Sequence, residues 1–213
     1  MTTLLHIDSS AAGPESVSRS VADLFRAQWH GDVVYRDLGA EPVPPITSAH
    51  VIARRTDPSE LSVELKHATA LQDRLIAEFL GADAYLFTVP MYNYSVPASF
   101  KAWIDQIVVL GRTLPYPETS ALTAGRRAVV VSARGGGYGS GAPNHDKDFV
   151  LPWLRLILGE TLGLDVRFIT PELTLAPTVP AMESLIPLYE DSLAAAQDRA
   201  RQEAQVLSAE LAA

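Results

Sequence analysis

Three segments of this chain carry side chains suited to holding a ligand. The first, SSAAGPESVSRS (Ser9–Ser20), offers hydroxyls at Ser9, Ser10, Ser16, Ser18 and Ser20 just ahead of an apolar helical pattern. A helix N-terminus presents unpaired N–H groups and a partial positive charge, so it attracts phosphate, and hydroxyls add donors without cationic charge. The same serines also suit a long N-cap loop with no ligand. The second, PMYNYSVP (Pro90–Pro97), sets Met91, Tyr92, Asn93 and Tyr94 between two prolines at the end of an apolar run. Tyr and Met pack on a planar heterocycle, while Asn93 and backbone N–H groups can bond its polar edge; ordinary half-buried aromatics are the alternative. The third, SARGGGYGSGAP (Ser132–Pro143), has Gly135, Gly136 and Gly137 in a row. These let the backbone approach a ligand closely or take positive φ, or they make a flexible surface loop.

Other chemistries fit less well. Gly137-Tyr-Gly139-Ser-Gly-Ala142 formally matches a dinucleotide fingerprint, but Pro143 and Asn144 stand between it and any helix, whereas that fingerprint opens a helix directly after a first strand. None of Lys66, Lys101 and Lys147 follows the glycine spacing of a Walker motif, which argues against a nucleoside triphosphate. Tyr138 lies two residues before Ser140 where a nucleophile elbow needs glycine. His6, His30, His50, His67 and His145 show no metal-ligand spacing, so no metal is expected. His6 alternates with apolar neighbours and reads as a core residue; His145, after the glycine loop, is within reach of a pocket rim.

The elements that must position these segments alternate between strand and helix. Strands are expected at Thr3–Asp8, Asp32–Leu38, Ala84–Val89, Arg127–Ala133 and Asp165–Thr170. Helices are expected at Val21–Trp29, from Pro58 to Gly81, at Ala98–Gly111, from about Pro152 to Gly163, and from about Pro187 onward. For the second helix, Asp57 reads as N-cap, Pro58 as the first residue and Glu60 as the capping-box partner. Five apolar strands separated by helices imply a parallel sheet covered on both faces, an α/β doubly wound flavodoxin-like fold of order 2-1-3-4-5. Such sheets bind ligands at the carboxyl ends of their strands, where the loops after strands one, three and four lie.

The 213 residues, 47% hydrophobic and 20% charged, suit one globular domain spanning 1–213. A net charge of -8 without a basic stripe gives no general attraction to nucleic acid or an anionic membrane. The absence of cysteine excludes disulfides and thiol catalysis and fits a reducing cytosol. The N-terminal MTTLLHIDSS has no signal-peptide pattern, and no apolar run reaches membrane-span length. A cytoplasmic protein is expected.

The chain resembles the FMN-dependent NADH-azoreductases, flavodoxin-like flavin oxidoreductases that also reduce quinones. SS…SVSR after strand one, PMYNYSVPASFKAWID after strand three and ARGGGYGSG after strand four occur in the family's order. The resemblance implies that Ser10, Ser16, Val17 (through its backbone) and Ser18 hold the FMN phosphate. It implies that Met91, Tyr92, Asn93 and Tyr94 line the isoalloxazine, and that Ala133, Arg134, Gly135 and Gly136 close its other edge. Backbone N–H groups of residues 91–94 are expected to favour the negative charge that reduction brings to the pyrimidine edge. It further implies NADH or NADPH as donor, a quinone or azo compound as acceptor, ping-pong two-electron transfer, and a homodimer with the site at the interface. Apolar residues near Trp103 and Pro115–Tyr116 are compatible with such a face. Two departures stand out: Tyr94 where the family has phenylalanine, and the additional Gly137, Gly139 and Gly141. A non-enzymatic electron carrier of flavodoxin type is the alternative, against which the long loops Leu38–Pro58 and Gly111–Gly125 suggest a substrate pocket or dimer contact.

Overall fold

Five short runs form the strands; the three central ones are apolar because they are buried on both faces, while the two edge strands are partly open to solvent. The five are β1 (Thr3–Asp8), β2 (Asp32–Asp37), β3 (Ala84–Thr88), β4 (Arg127–Val131) and β5 (Asp165–Ile169). The computed structural model describes residues 2–212. All four pairings are parallel, in the order β2-β1-β3-β4-β5. The expected topology therefore holds.

Alternation along each strand builds two cores. Leu5, Ile7, Tyr85, Phe87, Ala128 and Val130 face one layer, packed under α3 (Val63–Gly81), α4 (Ala98–Ile107) and α5 (Val150–Leu154, continuing as a π-helical turn over Arg155–Thr161). Leu4, Ala84, Leu86, Val129, Val131 and Ile169 face the other, under α1 (Val17–Arg26) and α6 (Ile186–Ala212). The first layer is centred on aromatic rings. Phe87 stacks on Tyr85 at 5.9 Å and meets the edge of Phe100 at 6.0 Å, with Trp103 5.7 Å from Phe100. Trp103 is fully buried, so its own ring offers no surface to a partner. Its indole belongs to the apolar face of α4. Tyr116 remains exposed.

Several helix limits differ from the sequence reading. α1 begins at Val17, four residues before the apolar periodicity starts, because Ser16 caps it by accepting from the Arg19 N–H at 3.1 Å. A short α2 (Ser48–Ala53) lies inside the proline-rich stretch, closed by a reciprocal Thr47–His50 capping box. Asp57 caps only a 3-10 turn over Pro58–Glu60, and the long helix starts after a second cap, Ser62, which accepts from Leu65 N–H. α4 ends at Ile107 instead of Gly111. Pro152 sits in the first turn of α5, where a missing N–H costs nothing; Asp148 Oδ1 accepts from Val150 N–H and Leu151 N–H there.

Candidate functional site

The loops after β1, β3 and β4 meet at the carboxyl edge of the sheet around a cleft of about 520 Å³, within the size range of small-molecule sites. Of the twelve residues singled out from the sequence, Ser10, Ser16, Val17, Ser18, Met91, Tyr92, Asn93, Ala133 and Gly135 line it. Tyr94, Arg134 and Gly136 do not. The serine and tyrosine segments touch directly: Tyr92 Oη accepts from the Ala11 N–H at 2.9 Å and lies 3.5 Å from Ser10 Oγ.

One end of the cleft is a hydroxyl-lined helix start. Ser10, Ser16 and Ser18 are all buried, and Ser16 Oγ lies 3.1 Å from Ser18 Oγ. Since Ser16 takes only the Arg19 N–H, the amides of Val17 and Ser18 have no intrahelical acceptor. Hydroxyls and amide donors of this kind fit an anion, and no cationic side chain lines the cleft among the described residues.

The middle of the site is a strained turn. Tyr92 and Ser95 exchange N–H···O bonds at 2.9 and 3.0 Å, and the residues between them, Asn93 and Tyr94, have φ of 49° and 68°. Two consecutive left-handed residues define the tight hairpin that usually takes Asn-Gly. Asn tolerates this backbone; Tyr pays for it, and such strain gathers at functional sites. The turn also corrects the sequence reading of the 91–94 amides. Met91 N–H is spent on Ala133 O and Tyr92 N–H on Ser95 O, so only those of Asn93 and Tyr94 remain for a ligand. Tyr94 itself stands half-exposed at the rim. We expect Asn93→Leu to destabilise the protein by about 1 kcal/mol even without ligand, through left-handed strain, and Asn93→Gly to leave it nearly unchanged; urea midpoints of the two variants check this.

The far wall was not legible in the sequence. The segment after β5 contributes Thr174, Leu175 and Thr178. It is tied to the glycine loop by Leu173 N–H to Gly136 O (3.1 Å), Thr174 N–H to Arg134 O (3.0 Å) and Leu175 N–H to Gly135 O (3.3 Å). Leu175 packs closely over Gly135: a Cβ there would lie 2.6 Å from Leu175 Cδ1, so a larger residue would push the leucine side chain aside. Arg134 points away from the cleft. It is 3% exposed and sits between Asp148 (3.2 Å) and Glu172 (3.4 Å), so it braces the loop. His145 is also outside the lining; its Nδ1 lies 3.2 Å from Tyr138 O.

Charge beneath the site centres on the buried Asp8. Asp8 accepts from Ser10 N–H at 3.0 Å and Tyr35 Oη–H at 3.1 Å, and Arg19 Nε lies 2.7 Å away. Burial raises the Asp8 carboxyl above its ordinary value, opposed by those partners. The Tyr35 phenol is pushed up to about 12, by burial and then by the Asp8 charge. His6, on the same face of β1, is held down at about 3 by burial and by Arg26 and Arg19. A larger hollow of about 680 Å³ lies beside α2, α3 and residues 109–116. It shares no residue with the three loops, and its Arg112 is paired with Asp73 at 2.6 Å.

Comparison with known proteins gives a consistent set of likenesses. A family profile described as flavodoxin-like fold matches residues 2–206. The chain is 46% identical over 212 residues to the FMN-dependent NADH:quinone oxidoreductase of Frankia casuarinae, covering 97% of this chain and all of the relative. It is 46% identical over 217 residues to the protein of the same name in Streptomyces coelicolor, covering 99% and 96%. Among solved structures, an azoreductase from Bacillus anthracis superposes with a TM-score of 0.82 at 23% identity over 96% of this chain and 99% of that one. An FMN-dependent NADH-azoreductase from the same species, solved in complex with FMN, superposes at 0.74 with 24% identity over 94% and 100%. At these identities the superpositions establish the common fold.

Proposed function

The chain belongs to the flavodoxin-like family of FMN-dependent NADH:quinone oxidoreductases, and from that premise we propose that the cleft holds FMN between its serine, tyrosine and glycine loops. The observation that carries this reading is the direct bond between Tyr92 Oη and the Ala11 N–H. It brings an anion-binding helix start and a ring-packing segment within reach of one mononucleotide.

The donor set suits the cofactor. Ser10, Ser16 and Ser18 hydroxyls with the Val17 and Ser18 amides hold the phosphate without a cationic side chain. Met91 and Tyr92 give apolar surface against the ring and exclude water, and Asn93 supplies an amide to its polar edge. The amides of Asn93 and Tyr94, held by the strained turn, are the backbone donors free to meet negative charge there. Bound FMN would supply two-electron redox chemistry between a nicotinamide and a quinone, so no nucleophile or general acid is asked of the chain.

The enzyme is an NADH:quinone oxidoreductase in this reading and reduces azo compounds by the same route. The carrier alternative is set aside, since relatives 43–46% identical over nearly the whole chain are named as oxidoreductases. NADH as donor fits the name carried by the relatives; the Arg134 side chain, held between Asp148 and Glu172, is not free to meet a ribose phosphate. We place the protein in the cytoplasm; no helix of the described residues is long and apolar enough to cross a membrane. We propose a homodimer, for which exposed Ile52, Leu110 and Tyr116 offer apolar surface.

The purified protein is expected to be yellow, or to take up FMN on addition, and to oxidise NADH only when a quinone or azo dye is present. A protein that gains no flavin overturns the reading. Flavin uptake without steady-state turnover returns it to a carrier.

A further inference from the structure

Among the described residues, no cationic side chain lines the cleft. Its only charged lining residue among the described residues is Glu15, while two further carboxylates, Asp8 and Asp37, lie behind the serine loop. One group reconciles these charges with an anionic ligand. The Arg19 guanidinium, projecting from the first turn of α1, places Nε 2.7 Å from Asp8 Oδ2 and one terminal nitrogen 3.0 Å from Asp37 Oδ2. The same nitrogen donates to Ser10 O at 3.4 Å.

Each of these partners also holds backbone at the site. Asp8 Oδ1 accepts from Ser10 N–H, and Asp37 Oδ1 accepts from Gly39 N–H (2.9 Å) and Ala40 N–H (3.0 Å). The turn after β2 packs so closely on the serine loop that a Cβ at Gly39 would lie 2.3 Å from Ser10 O. Ser10 is thus held at its N–H by Asp8 and at its carbonyl by Arg19, with Gly39 packed closely against that carbonyl. Without the guanidinium, two carboxylates would stand uncompensated behind the loop that receives the phosphate.

We propose that Arg19 is the positioning residue for the cofactor phosphate. It acts through Ser10 and by offsetting part of the negative charge of Asp8 and Asp37, with no contact to the ligand. The proposal rests on the assignment of the cleft to FMN and adds to it a source of selectivity for the phosphorylated flavin. Arg19 discriminates FMN from riboflavin, because only the phosphate feels the charge behind the loop.

The test is flavin fluorescence quenching with FMN and with riboflavin, on the full chain stripped of flavin. Arg19→Met is expected to lower FMN affinity on the order of 50-fold, as one uncompensated charge near a dianion does at an effective dielectric near 20. Riboflavin affinity should change less than about threefold. Arg19→Lys, which keeps the charge, should hold FMN within about fivefold. The triple variant Arg19→Met/Asp8→Asn/Asp37→Asn should recover most of the FMN affinity, since it removes the charges Arg19 opposed. Equal loss of both flavins in Arg19→Met, or no recovery in the triple variant, overturns the proposal. If Arg19→Met does not fold, the triple variant decides: folded and preferring FMN, it supports the proposal, and folded without that preference it overturns it. If neither neutral variant folds, retention or loss of the FMN preference in Arg19→Lys decides. Failure of the wild type to bind either flavin would instead end the assignment of the cleft, an outcome separate from all of these.

Discussion

Ser16→Asp is expected to abolish tight FMN binding while leaving the protein at least as stable as the wild type. Ser16 is the N-cap of α1, and its Oγ accepts from the Arg19 N–H. Aspartate caps as well as serine and adds a favourable charge at a helix N-terminus, so the fold keeps its support. The carboxylate then occupies the place proposed for the phosphate and repels it, with a loss of at least about 100-fold in affinity. Ser16→Ala separates the two effects: it costs about 1 kcal/mol of stability through the lost cap and a smaller loss in affinity. Titration of each variant with FMN, paired with urea unfolding, reads both. Unchanged FMN affinity in Ser16→Asp would move the phosphate elsewhere.

How much of this site was legible in the sequence depends on which force shaped each part. The sheet was readable because strands buried on both faces must be apolar throughout, and Ala84–Thr88 and Arg127–Val131 show that directly. The start of α1 was not, because its first turn faces the cleft. Val17 and Ser18 face that cleft and so break the periodicity that reveals a helix. α2 is six residues long and held by a capping box with histidine in the usual Glu/Gln place. The Asp57-Pro58 signal was genuine capping chemistry spent on a 3-10 turn. Arg134 is a cofactor residue only by the resemblance; that its side chain lies between Asp148 and Glu172, 14 and 38 residues further along the chain, is set by tertiary packing that no local pattern announces. The wall at Thr174–Thr178 has no regular pattern, and Leu173 takes φ of 59°, a backbone choice no local propensity announces.

Acid should destabilise the protein steeply, with His6 as the main cause. Its side chain is fully buried, Nε2 lies 2.9 Å from Thr88 Oγ1, and Nδ1 has no partner. Burial and the charges of Arg26 and Arg19 hold its pKa at about 3 in the folded chain, against 6.5 unfolded. The folded state therefore resists a proton that the unfolded state accepts. The stability this represents is complete above the unfolded value and drains away as pH falls from about 6.5 to about 3, at ~1.4 kcal/mol per pH unit, approaching ~5 kcal/mol in total. Asp8 works in the opposite sense. Its carboxyl is raised by burial, so protonation relieves part of that penalty and softens the loss at the acid end. His6→Gln, which cannot titrate, should flatten the slope by close to one proton between pH 6.5 and 4. Urea unfolding of both proteins at several pH values measures it, and equal slopes would remove His6 as the cause. The loss should appear first at the site. His6 bonds Thr88, and Thr88 O receives both the N–H and the Oγ–H of Ser9 at 2.9 and 2.7 Å. Protonating His6 therefore strains the root of the serine loop before the sheet as a whole. On acidification, free flavin fluorescence should rise at a higher pH than the one at which far-UV circular dichroism is lost; coincident transitions would show that the loop and sheet unfold as one unit.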